Sequence, residues 1–199
     1  MQPADIGLAS RGDADSESVH NVQVRRRGSL DVRRPLVWLG ATAALAVILD
    51  QSTKHIITAS LNLNEALAII PGVFDVARVE NTGAAFGVLP GRQVLFVGIS
   101  LLMLVGVAVY WRRERPTAWP VLIALGLVVG GAIGNLIDRI FIGRVTDFLA
   151  FSFFAPVFNI ADSAIFTGVA ILLVWMLFGP HEESESEGDV VAAQQDALR

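Results

Sequence analysis

The chain has no cysteine, which excludes a disulfide framework, a thiol nucleophile and a cysteine-ligated metal site. Histidine is scarce as well: His20, His55 and His181 are the three in the chain, and they are not placed to activate a serine within one site, so a serine protease of the rhomboid kind is disfavoured. Charge is the third shortage. Only 17% of the 199 residues are charged while 53% are hydrophobic, and the mean hydropathy is +0.57, a composition a soluble domain of this length rarely has. The formal net charge of -4 hides an uneven distribution, with arginines from Arg25 to Arg34 and an acidic tail after His181. Neither end reads as a nucleic-acid binder.

What is present is apolar sequence in long runs. Runs of about 20 residues, the length a helix needs to cross the hydrocarbon core, predict four spans over about Leu36–Ile57, Val94–Trp111, Trp119–Ile140 and Asp162–Phe178. The first is too long and too far along the chain for a cleaved secretory segment, and is expected to be retained. Arg25, Arg26, Arg27, Arg33 and Arg34 precede the first span, and Arg112, Arg113 and Arg115 fill the link between the second and third. Positive flanks stay cytoplasmic. Both termini are therefore expected in the cytoplasm, with the segments from about residue 58 to 93 and from about 141 to 161 outside. Residues 1–35, and the tail 179–199 with its Glu-Glu-Ser-Glu-Ser-Glu run, read as disordered and flank a membrane domain over 36–178. The predicted fold class is an all-α membrane protein of four transmembrane helices. A small extracytoplasmic β-rich segment is expected between helices 1 and 2, from the β-branched residues and Pro-Gly turn of Ile69–Val79.

Against this background the carboxylates stand out, because an ionisable group within or at the edge of a span is costly unless something uses it. Asp50 and Lys54 are four apart and fit one helix face, where a snorkelling lysine neutralising its neighbour is the plain reading. Asn135, Asp138 and Arg139 follow the small-residue patch Gly130, Gly131, Ala132 and Gly134, a stretch suited to close helix packing. An Asp138–Arg139 interfacial charge pair would account for two of them. Asn135 would still need a partner, since an unsatisfied amide in hydrocarbon costs several kcal/mol, roughly. Glu80-Asn-Thr-Gly-Ala-Ala-Phe-Gly87 would let backbone approach a ligand, though that glycine pattern is weak alone.

Asp147, near the predicted end of the third helix, and Asp162, at the start of the fourth, flank a short loop from Leu149 to Ala161. If that loop folds back the two carboxylates face each other. A pair at about 3 Å shares one proton and titrates as a unit. One member then acts as general base on water while the protonated partner polarises a scissile carbonyl. The helix N-terminus favours Asp162 as the ionised member, with the reverse assignment open. Helix capping alone would also account for Asp162, and Asn159 three residues earlier makes that account less complete. A proton or ion relay in a small transporter, or a scaffold with an interfacial charge network, are the rival readings. A relay predicts charges spread across the membrane, whereas these gather at one face.

Five blocks occur in order: Asp50-Gln-Ser-Thr-Lys54, Glu80–Gly87, Gly130–Arg139, Val145-Thr-Asp-Phe148 and Phe158–Ala164. Together they resemble the lipoprotein signal peptidase family, also called signal peptidase II, over about residues 36 to 178. The resemblance implies a membrane aspartic endopeptidase with catalytic Asp147 and Asp162. It implies that Asp50, Lys54, Asn81, Gly83, Gly131, Asn135, Asp138, Arg139 and Asn159 shape the site or hold substrate. No metal and no cofactor are expected. The implied substrates are diacylglyceryl-modified prolipoproteins, met in membrane lipid and cut before the lipidated cysteine. The enzyme is expected to act as a monomer, without nucleic acid, in the bacterial plasma membrane with its site near the extracytoplasmic face. The N-terminal extension and the acidic tail are not required by the family.

Overall fold

The computed structural model describes residues 33–82 and 93–180. Gly83 and most of the two predicted disordered ends lie outside these residues, and the described residues from Pro35 onward form one compact unit. Four helices carry it: α1 (Arg33–Ser60), α2 (Gln93–Glu114), α3 (Trp119–Ile137) and α4 (Ile160–Phe178). Each contains a stretch long and apolar enough to cross a membrane.

Their outward faces explain why. Trp38, Ile48, Val94, Leu102, Phe166, Leu173 and Phe178 are all exposed, an apolar surface that lipid covers at no cost and water does not. α3 is the exception and forms the centre. Of its most apolar stretch 61% is buried, against 6 to 17% for the other three. Ala43, Ala46, Asp50 and Lys54 make the buried stripe of α1, spaced by three and four residues as one helix face requires. Small residues let α3 seat closely: a Cβ at Gly130 would lie 2.6 Å from the carbonyl oxygen of Ala43.

Pro120 opens α3 in its first turn, where its missing N–H costs nothing. The far end does not stop as an ordinary helix. A wider π-helical turn runs over Asp138–Ile142 and closes at Gly143, whose φ of 81° is the left-handed geometry that suits a residue without a Cβ. The third span therefore ends before Asp147.

The four strands β1 (Ala66–Ile70), β2 (Phe74–Asn81), β3 (Val145–Phe151) and β4 (Phe154–Phe158) form one antiparallel sheet in that order. This corrects two expectations. Half of the sheet comes from between the third and fourth helices rather than from between the first and second. Asp147 sits on strand β3, opposite Val79, and not at a helix end; the presumed loop after Leu149 is mostly the β3–β4 hairpin. Between Val76 and Val79 β2 carries an extra residue relative to β3. Such a bulge bends the strand and re-aims its side chains beside a site. Arg78 ties the sheet to α1, its Nη1 donating to the carbonyls of Thr58 at 3.1 Å and Leu61 at 2.9 Å, which satisfies orphan acceptors at the helix end.

Candidate active site

α4 begins with Asn159 as its N-cap, and Asp162 is the third helical residue. The amide of Asp162 donates to Asn159 Oδ1 at 2.9 Å, and Asp162 Oδ2 accepts from the backbone of Asn159 at 3.3 Å. This reciprocal capping box corrects the simple capping account: Asn159 is the cap and Asp162 completes it. Asp162 keeps Oδ1 for another partner, and Asn135 Nδ2 supplies it at 2.7 Å.

Asp147 reaches the same place from the sheet. Its Oδ1 accepts from Asn159 Nδ2 at 2.6 Å and its Oδ2 from Asn81 Nδ2 at 2.9 Å. Asn159 Nδ2 also donates to Asn135 Oδ1 at 3.2 Å. Two amides thus link the carboxylates, in the order Asp147, Asn159, Asn135, Asp162. Burial pushes the Asp147 carboxyl up to about 6; the hydrogen bonds from Asn81 and Asn159 act the other way, the neighbouring Asp162 adds to the rise, and Lys54 opposes it.

Beneath the dyad lies a buried ionic cluster. Lys54 Nζ lies 2.7 Å from Asp50 Oδ2 and 2.8 Å from Asp138 Oδ2, and it donates to Asn135 Oδ1 at 3.3 Å. Asp138 therefore pairs with Lys54 rather than with Arg139, which corrects the interfacial-pair reading. Asp50, fully buried, accepts at Oδ1 from the backbone N–H of Ala161 at 2.9 Å, so it holds the first turn of α4 from across the bundle. Gln51 Nε2 donates to Asp50 Oδ2 at 3.1 Å and Asp138 Oδ1 at 3.0 Å. Removing one partner from such a cluster strands a buried charge, which costs about 3–5 kcal/mol.

α3 must lie very near α4 and α1 for these bonds to form. A Cβ at Gly131 would collide with the carbonyl oxygen of Ala161, and one at Gly134 would lie 2.6 Å from Asp50 Oδ2. Both positions are therefore closed to larger residues by backbone or by the cluster itself.

A cavity of about 860 Å³ opens over the dyad, lined by Asn81, Asn135, Arg139, Asp147, Asn159 and Asp162 together with Phe96, Ile99, Ser100, Met103, Phe158, Phe166 and Val169. Arg139 places its guanidinium 5.1 Å from the centre of the Phe96 ring, a cation–π contact. Of the residues singled out in the sequence, Asn81, Asn135, Arg139, Asp147, Asn159 and Asp162 meet in this cavity. Asp50, Lys54, Gly131 and Asp138 lie behind it, and Gly83 falls outside the described residues. Sequence reasoning assigned no role to Gln51, although it stands inside the Asp50–Lys54 block, and none to Phe96 or Arg78. Arg78 had a signal as the lone cation of its strand.

Fold and site together define a four-helix membrane protein that brings two carboxylates to one largely apolar cavity. The signal peptidase II family model matches residues 42–178. Lipoprotein signal peptidase of Desulfitobacterium hafniense is 39% identical over 153 residues, covering 76% of this chain and 99% of that protein. The lipoprotein signal peptidase of Symbiobacterium thermophilum is 42% identical over 139 residues, covering 68% and 91%. A solved bacterial membrane enzyme, determined by the in meso method at 1.9 Å resolution, superposes with a TM-score of 0.65 at 31% identity, covering 70% of this chain and 92% of its own. The chain belongs to the signal peptidase II family, a family of aspartic peptidases.

Proposed function

We propose that this protein removes the signal peptide from prolipoproteins, with Asp147 and Asp162 as the catalytic pair. The observation that carries this reading is the convergence of the two carboxylates on one cavity, each held by its own amide donors. Asp162, in the first turn of α4 where the helix dipole favours negative charge, takes a proton from water. Asp147, whose carboxyl is pushed up to about 6, is the acid that polarises the scissile carbonyl. Water oxygen bonds to the carbonyl carbon as the carbonyl oxygen takes the proton of Asp147, giving a tetrahedral diol with Asp147 ionised and Asp162 protonated. The C–N bond then breaks as the leaving nitrogen takes the proton from Asp162, and a diol hydroxyl returns a proton to Asp147, which leaves the carboxylic acid, the amine and both carboxyls in their starting states.

The cavity wall supports the nature of the substrate. It descends from the dyad along Phe96, Ile99 and Met103 of α2 and Phe166 and Val169 of α4, a surface suited to an apolar signal helix and to the diacylglyceryl chains on the cysteine that follows the cleaved bond. Such a substrate enters sideways from the bilayer, with the scissile bond at the extracytoplasmic interface, and the enzyme acts as a monomer. Asn81, at the end of β2, lies beside the substrate backbone.

The test is cleavage of a lipidated prolipoprotein by purified wild-type protein, Asp147→Asn and Asp162→Asn, each shown by circular dichroism to be folded. Both substitutions are expected to lower turnover by about 10²–10⁴-fold, the usual contribution of a general acid or base. A folded variant of either kind that cuts at the wild-type rate removes the dyad.

A further inference from the structure

Lys54 contributes a contact that an ionic cluster alone does not need. Its ammonium is already paired with Asp50 and Asp138, yet it also donates to Asn135 Oδ1 at 3.3 Å. An asparagine amide has two nearly isosteric orientations, and its neighbours decide between them. Here Oδ1 receives two donors, Lys54 Nζ and Asn159 Nδ2, while Nδ2 points at Asp162 Oδ1. Turned over, Nδ2 would face a fixed positive charge and a second amide N–H, and Oδ1 would face a carboxylate. Asn159 cannot relieve this, because its own Oδ1 is held by the backbone N–H of Asp162.

We propose that Lys54 is a positioning residue which locks the Asn135 amide with its N–H toward Asp162, so that both oxygens of Asp162 face only donors and it serves as the base of the dyad. The proposal rests on the aspartyl reading above and adds to it the device that assigns the two roles. The second Asp162 oxygen meets the backbone N–H of Asn159, which cannot turn into an acceptor. The charged groups around the amide are Lys54 and Asp50 from α1, Asp138 and Arg139 from the π-helical turn after α3, Asp147 from β3 and Asp162 itself. Lys54 is the one among them bonded to Asn135 Oδ1.

Removing Lys54 alone would strand two buried carboxylates, so the variant is Lys54→Met with Asp138→Asn. Wild type carries Asp50, Lys54 and Asp138 in the cluster and the double variant carries Asp50 alone, so the net charge is the same and the Asp50–Ala161 bond is kept. Its kcat on lipidated prolipoprotein is expected to fall at least about tenfold, the effect of losing one positioned donor's worth of free energy, with KM little changed. The acid limb of kcat/KM moves to higher pH, because a carboxylate that loses a donor takes up a proton more readily. Asn135→Ser removes the amide and leaves the ionic cluster whole, and is expected to show the same loss and the same shift. Combined, the substitutions cost no more than either set alone if Lys54 acts through Asn135.

A folded double variant with wild-type kcat and an unchanged pH profile overturns the proposal, as does full additivity of the two losses. If the double variant does not fold, Asn135→Ser decides: wild-type turnover and pH profile in that variant likewise overturn it. Failure of the underlying reading looks different, since Asp147→Asn or Asp162→Asn would then still cut.

Discussion

Asp147 is buried on a strand, bonded at both oxygens to side-chain amides, and its carboxyl is raised to about 6. Because the raised value favours the protonated form, the acid that the proposed mechanism assigns to Asp147 is present below that pH and is lost as pH rises through it. The descending limb of kcat/KM for the free enzyme is expected near pH 6, read as a property of the dyad rather than of one residue. Asn81→Ala removes a donor that holds the value down. It is expected to move this limb to higher pH while lowering kcat, since the proposed mechanism sets the same amide beside the substrate. A pH–rate profile of the two proteins checks both; an unmoved limb would place the acid elsewhere. At this scale the sequence was informative because each of these residues is out of place in hydrocarbon. What it did not show was direction: a carboxylate at the head of an apolar run looks the same whether it caps the helix, completes a capping box as Asp162 does, or only pairs with a lysine.

The elements meet through α3, and two of its glycines set how near they come. A Cβ at Gly131 meets the Ala161 carbonyl, which belongs to the same turn that carries Asp162, so Gly131→Ala must push that turn away from Asn135. Overpacking of this kind costs about 1–3 kcal/mol, and the displaced turn is expected to lower kcat more than a loss of that size in stability alone would. Thermal unfolding measured beside turnover separates the two. The helices were readable as elements because each is one apolar run, and Trp119 begins α3 where the hydropathy rises after Pro116. The sheet was only half readable. Val145 to Phe148 are all buried, so β3 lacks the alternation by which a half-exposed strand is recognised, and its turn at Ser152 and Phe153 has no glycine or asparagine to mark it. Its partner on β2, Val79 opposite Asp147, comes from before α2, and no local pattern announces a pairing across an entire helix.

For the molecule as a whole, the direction of insertion decides which compartment the dyad serves. α2 ends with Arg112 and Arg113 in its last turn, and Arg115 follows in the short link to α3. Three cations in so short a link favour its retention in the cytoplasm. The hairpin turn at Ser152, which joins β3 to β4, then stands on the opposite side with the cavity. The lack of cysteine makes this directly measurable, because any introduced thiol is the only one. Thr117 and Ser152 are both exposed, one in the α2–α3 link and the other in the hairpin. A membrane-impermeant maleimide added to spheroplasts is expected to label Ser152→Cys and to spare Thr117→Cys until the membrane is opened. The reverse pattern would put the dyad on the cytoplasmic side, where a signal peptide that has already crossed the membrane presents no bond to cut, and the proposed substrate would fall with the topology.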